Sequence, residues 1–155
     1  MAARGFPKEE PLKAPVLKAR VLVIDDDESF LAAIRHGLEA SFREVHCAAG
    51  EAEGWALLEK NAYDLVLLDL LLGGEPAGLR ICRRLKNDPR WRDVPVLVVS
   101  AADMLYGLSL KSYLADEQCL PAEDFVDKVA GPAEIVKRAR RIVERPTRAD
   151  KSAPE

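Results

Sequence analysis

The chain has 155 residues, of which 48% are hydrophobic and 32% charged, with a formal net charge of −3. That length suits one domain with a real hydrophobic core, and the composition is that of a folded chain rather than a disordered one. The acidic balance argues against a nucleic-acid binder driven by bulk positive charge. No apolar run reaches the roughly 18 residues a membrane-spanning helix needs. Residues 1–18 lack the apolar centre of an export signal, so a cytoplasmic location is expected. Cys47, Cys82 and Cys119 are odd in number and lack CxxC spacing, against a disulfide framework or a zinc site. Each reads as a small core or edge residue.

Pro7, Pro11 and Pro15 fall in residues 1–18, and Pro146 and Pro154 in 144–155. These stretches lack apolar periodicity and read as flexible tails around a folded part, 19–143. Within it, strand and helix signals alternate. Val21-Leu22-Val23-Ile24 is the kind of short apolar run that is buried on both faces of a parallel sheet. Asp27 is placed to cap a helix on which Phe30, Ile34 and Leu38 recur at helical spacing. Val45 to Ala48 is a weak strand. Glu51 to Lys60 reads as a helix with Trp55 and Leu58 inward. Leu65-Val66-Leu67-Leu68 is a second strongly apolar strand, followed by a helix face of Leu79, Cys82 and Leu85. Val94 to Val99 is the next strand, with Pro95 tolerated near its start. Met104 to Leu114 reads as a less regular helix. Phe125-Val126 is a short last strand. Pro132 opens a final helix with the stripe Ile135, Val136, Ala139, Ile142 and Val143.

Five strands alternating with five helices predict an α/β fold, a doubly wound parallel sheet with helices on both faces. Function in such sheets sits beyond the carboxyl ends of the strands. There the chain carries Asp25, Asp26 and Asp27 after the first strand, Asp69 after the third, Ser100 after the fourth, and Lys128 toward the end of the fifth. Converging carboxylates repel, and a divalent cation relieves the conflict. Oxygen ligands without His or Cys favour Mg²⁺, or Mn²⁺. Lys128 would pair with Asp69 or with an anion attached to it, and Ser100 could donate to the same anion.

Four segments, Val21–Asp26, Leu65–Asp69, Val96–Ala101 and Phe125–Lys128, resemble the signatures of the response-regulator receiver domain, in the family's order and each at a strand end. The resemblance covers about residues 19–143 and implies the strand order 2-1-3-4-5. It implies that Asp69 is the phosphoacceptor, taking a phosphoryl group from a sensor histidine kinase or phosphotransfer protein. It implies that Asp25, Asp26, Asp69 and the backbone carbonyl of Leu71 hold Mg²⁺. Lys128 then bonds the phosphoryl oxygens, Ser100 is the switch hydroxyl, and Phe125 is the aromatic residue that turns inward with it. Ala101 is small, as the family needs beside the phosphoryl group. Phosphorylation adds up to about two negative charges, which shift the population between two packings rather than make a new fold.

Four departures stand out. The loop after Asp69, Leu70 to Gly78, is one residue longer than the family's Met-Pro turn, and Gly73-Gly74 can supply unusual dihedrals. The family's Lys-Pro is Lys128-Val129 here, so a trans peptide is expected. The segment Ala102 to Asp124 is long. Hydrophobic Leu71 and small Ala102 stand where other receivers often carry polar groups that assist hydrolysis, so slow autodephosphorylation is expected.

The resulting expectation is a single-domain response regulator that switches binding to an unidentified target protein and is not an enzyme beyond its own phosphoryl transfer and slow dephosphorylation. No DNA and no membrane are expected as partners. A homodimer through the last helices is one expected assembly. The alternative is a degenerate receiver acting as a phosphorylation-independent adapter. A phosphatase of the haloacid-dehalogenase type would need an Asp where Leu71 stands. No GxGxxG or GxxxxGK[ST] supports a nucleotide-binding fold. His36 and His46 read as surface or satisfied residues. Arg80, Arg83, Arg84, Lys86 and Lys137, Arg138, Arg140, Arg141 read as solvated helix faces.

Overall fold

The computed structural model describes residues 15–101 and 122–145. Over them the chain runs β1 (Leu17–Ile24), α1 (Glu28–Glu39), β2 (Phe42–Ala48), α2 (Glu51–Lys60), β3 (Leu65–Leu68), α3 (Ala77–Asn87), β4 (Val96–Ser100), β5 (Asp124–Asp127), a 3₁₀ turn (Lys128–Ala130) and α4 (Pro132–Glu144). All four strand pairs are parallel, in the order β2-β1-β3-β4-β5. This is the expected doubly wound sheet. The helix expected over 104–114, residue Cys119, and most of both expected tails lie outside the described residues.

Side chains alternate along the strands, so each strand feeds two cores. Leu22, Ile24, Val66, Leu68, Val96, Val98 and Phe125 meet α2 and α3 through Leu58, Ile81, Cys82 and Leu85. Val21, Val23, Leu65, Leu67, Leu97, Val99 and Val126 meet α1 and α4 through Leu31, Ile34, Leu38, Ile135, Ala139 and Ile142. Burial on both faces is why β3 and the end of β1 contain no polar residue, and it leaves the strand ends as the place for polar chemistry.

Several local expectations need correction. β1 begins at Leu17, two residues inside the segment read as tail, because Leu17 N–H donates to Ser41 O at the edge of β2. β2 extends back to Phe42, which is 2% exposed and belongs to the core. The fully buried residues of α1 are Leu31, Ile34 and Leu38; Phe30 is half-buried and packs against the same core at its edge. Trp55 is half-buried and packs against the core at its edge, while Gly54 and Leu58 are fully buried; a Cβ at 54 would press on Ile24. The Trp55 ring lies against buried Trp91, 5.5 Å between centroids, with the Arg84 guanidinium 4.1 Å from its centroid. Lys86 is not on a solvated face. Its side chain is 14% exposed and Nζ donates to Val94 O at 2.8 Å, tying α3 to the start of β4.

Other expectations hold. Asp27 caps α1, its Oδ1 accepting from Phe30 N at 3.1 Å. Pro132 is at the first turn of α4. No peptide bond among the described residues is cis, so Lys128–Val129 is trans.

Candidate functional site

The carboxyl ends of β1, β3, β4 and β5 converge on one edge of the sheet. Asp25 follows β1, and its Oδ1 accepts from Asp27 N at 2.9 Å, which folds the Asp25–Asp27 run into a tight entry to α1. Asp69 follows β3. Ser100 ends β4 and is fully buried. Lys128 is the first residue of the 3₁₀ turn after β5, one step beyond the strand that was expected to hold it. That turn is set by Asp127, whose Oδ1 accepts from Val129 N at 3.1 Å.

Asp69 is buried and both its oxygens are engaged. Oδ1 accepts from Ser100 Oγ at 2.8 Å and from Leu71 N at 3.1 Å; Oδ2 accepts from Lys128 Nζ at 3.0 Å. The same ammonium is 2.7 Å from Asp25 Oδ2. That contact is an ion pair; besides it, Asp25 Oδ2 is buried and accepts no hydrogen bond among the described residues. Burial pushes the Asp25 carboxyl up to about 6, against the lowering effect of Lys128 and the Asp27 amide, and nearby Asp69 adds to the rise. For Lys128, burial works against the charged form, but its contacts with Asp25 and Asp69 outweigh it and hold the ammonium pKa above its ordinary value.

Asp25, Asp26 and Asp69 each bring a carboxylate oxygen into one group, within 4.8 Å of one another. The fit to a hard divalent cation is good: the donors are all oxygen, and a buried carboxylate oxygen is left without a hydrogen bond. Asp26 is exposed and is the outer member. Its Oδ2 accepts from Gly73 N at 2.8 Å.

That bond comes from the unusual loop. Leu72 and Glu75 pair across a two-residue turn, Leu72 N to Glu75 O at 2.9 Å and Glu75 N to Leu72 O at 3.1 Å. Gly73 and Gly74 have φ of 63° and 77°, the pair of positive values a type I′ turn demands. The extra residue is therefore absorbed in a closed hairpin that stays in contact with the acidic cluster.

The structure brings together Asp25, Asp26, Asp69, Ser100 and Lys128, with Leu71 contributing its N–H. Phe125 is 8% exposed and packs in the core shared with α2 and α3. Three features escaped the sequence reading. Gly78 presses on the acceptor loop: a Cβ there would collide with the Asp69 carbonyl oxygen and lie 2.6 Å from Leu70 Cα. Phe30 places its ring 4.6 Å from Lys128 Nζ. His46 bridges Glu44 and Tyr63 at 2.8 and 2.7 Å. Glu44 and His46 are two apart on a strand, hence on one face, a signal that was available.

With this geometry in place, the comparisons with known proteins are specific. The family described as "Response regulator receiver domain" matches residues 21–140, and the chain belongs to that family. It is 34% identical over 87 residues to the response regulator PleD of Caulobacter vibrioides, covering 56% of this chain and 19% of that protein. It is 29% identical over 134 residues to the DNA-binding dual master transcriptional regulator RpaA of a Synechocystis strain, covering 86% of this chain and 53% of that protein. The chain thus spans less than a fifth of one of these relatives and about half of the other. Among solved structures, a putative response regulator from Chloroflexus aurantiacus superposes with a TM-score of 0.69 at 28% identity, covering 83% of this chain and all of that one. A CheY-like receiver domain protein from Methanospirillum hungatei gives 0.67 at 22%, covering 83% and 95%, a likeness of fold. Among the described residues no helix is long and apolar enough to cross a membrane.

Proposed function

We propose that this chain is a receiver acting in the cytoplasm, phosphorylated on Asp69 by a sensor histidine kinase or phosphotransfer protein, and that phosphorylation switches its binding to a target protein. In this reading the receiver occupies residues 19–143, extended at its start by Leu17 and Lys18, with a tail on either side. The observation that carries it is the pair of groups on buried Asp69: a hydroxyl on one oxygen and an ammonium on the other, beside two further carboxylates.

Asp25, Asp26 and Asp69, with the backbone carbonyl of Leu71, would hold Mg²⁺. Bound there, the ion supplies charge stabilisation for the transferred phosphoryl group. The chain's residues do the rest. A carboxylate oxygen of Asp69 attacks phosphorus in line, the P–N bond of the donor phosphohistidine breaks, and its electron pair leaves with the imidazole nitrogen. Lys128 follows the charge from the carboxylate to the phosphoryl oxygens. Ser100, already at hydrogen-bond distance from Oδ1, needs little movement to donate to a phosphoryl oxygen. Phe125 lies on β5 beside β4, paired with Val98, so a change at Ser100 reaches it through adjacent strands.

Intact mass after incubation with Mg²⁺ and acetyl phosphate tests the acceptor. The native chain is expected to gain one phosphoryl group, and Asp69→Asn none, with chelator abolishing the gain. An unmodified native chain that also fails to bind Mg²⁺ would leave the adapter reading in its place. The lifetime of the modification is a separate expectation. Leu71 offers no side-chain group to direct water, so Leu71→Asn should shorten the phosphoryl half-life severalfold. Equal half-lives in a chase after donor removal would remove Leu71 as the cause of slow hydrolysis.

A further inference from the structure

We infer that Phe30 is a positioning residue for Lys128, its ring face holding the ammonium beside Asp25 and Asp69. Lys128 has a long side chain leaving a short turn, and among the described residues its polar contacts are those to Asp25 and Asp69. Its Nζ is 4.6 Å from the centroid of the Phe30 ring, within the distance at which the negative face of an aromatic ring attracts a cation. The Lys128 side chain is 18% exposed, so the contact is largely desolvated, where such attraction is strongest.

Two facts give the ring a role besides packing. The core face of α1 is filled by buried Leu31, Ile34 and Leu38, and Phe30 packs at its edge, half-buried, with its ring also facing Lys128 Nζ. The backbone that aims Phe30 is also tied to the acidic cluster. Phe30 N donates to Asp27 Oδ1, and Asp27 N donates to Asp25 Oδ1. The three-residue run that presents Asp25 thus also fixes the ring that faces its counter-ion. An aliphatic side chain at 30 would exclude water comparably but present no negative face. Phe30 acts only through Lys128. Its effect on rate rests on the function proposed above, whereas the contact itself does not.

The test uses the full chain with Phe30 replaced by mono-, di- and trifluorophenylalanine, which weaken the ring's negative face at nearly constant shape, together with Phe30→Leu. Two quantities are read: the rate of Asp69 phosphorylation by acetyl phosphate at saturating Mg²⁺, and the NMR shift of the Lys128 ε-protons, which a ring face moves upfield. The rate is expected to fall stepwise with fluorine content, by roughly three- to tenfold at trifluoro, with the ε-proton shift moving toward its random-coil position and thermal midpoints nearly constant. Phe30→Leu should match the trifluoro chain. An unchanged rate and unchanged ε-proton shift across the fluorinated series would overturn the inference, even with Phe30→Leu impaired. If the native chain accepts no phosphoryl group, the proposed function fails, and the ε-proton shift alone decides this one: fluorine-dependent movement supports it and constancy overturns it.

Discussion

Asp25→Asn is expected to make the metal-free protein more stable at neutral pH, although it removes half of an ion pair. Asp25 is 1% exposed, its Oδ2 lacks a hydrogen bond, and burial raises its pKa from 3.8 to about 6. The folded state therefore binds this proton more tightly than the unfolded state does. The protonated carboxyl contributes its stability in full below about pH 4, and that contribution is lost as pH rises through 6. Above pH 6 the fold carries a buried anion next to Asp69 at a cost of order 2 kcal/mol. Asparagine keeps the shape and removes the charge. Loss of Lys128's second counter-ion offsets part of the gain, leaving about 1–2 kcal/mol. Urea unfolding in chelator from pH 4 to 8 reads this directly: the variant's advantage should be near zero at pH 4 and grow to pH 7. Mg²⁺ should then raise the native midpoint and leave the variant's unchanged. A variant less stable than the native chain at pH 7 in chelator would refute the account of Asp25 as a strained, cation-seeking group.

Gly78→Ala has the largest expected structural effect. Gly78 N donates to Leu70 O at 3.0 Å, and the first turn of α3 lies against the backbone of Asp69 and Leu70. A Cβ at 78 meets main chain, the Asp69 carbonyl and Leu70 Cα, rather than the movable end of a side chain. Either the acceptor loop or the helix start must shift, at a cost of about 2–4 kcal/mol. Because the shifting atoms belong to Asp69 itself, phosphorylation should slow by more than tenfold even where the variant folds. Gly50→Ala is the control, since nothing lies within 4 Å of a Cβ there and its φ of −173° is ordinary extended backbone. It should cost under about 1 kcal/mol. Equal urea midpoints for the two variants would show that the close approach at 78 carries no energetic weight.

The architecture was legible in the sequence because its signals are short-range. Val21–Ile24 and Leu65–Leu68 are uninterrupted apolar runs, which only a doubly covered strand tolerates. Pro132 and Asp27 mark helix starts through backbone donors that need no tertiary partner. Where the signal was amphipathic, the reading failed in detail. Phe30 and Leu31 are adjacent and both apolar, and periodicity alone does not say which one the sheet accepts. Trp55 reads as core and does pack on it, but at its edge, while Gly54 is the residue set against Ile24. β2 was undersized because Phe42 to Glu44 alternates weakly and gains its strand state from pairing with β1.

The sequence by itself determined which chemical groups this protein carries at the ends of its strands: carboxylates at 25, 26 and 69, a hydroxyl at 100 and an amine at 128. Those positions follow from strand boundaries, and strand boundaries follow from local burial patterns. Only the tertiary structure decided how the groups meet. The Lys128 ammonium sits between two carboxylates of different strands, Gly73 N reaches Asp26 across 47 positions of sequence, and Gly78 admits the Asp69 backbone. The Phe30 ring, packed at the edge of the core, also faces Lys128. Each of these is a distance between atoms far apart in the chain, set by the packing of helices on a twisted sheet, and no local pattern encodes it.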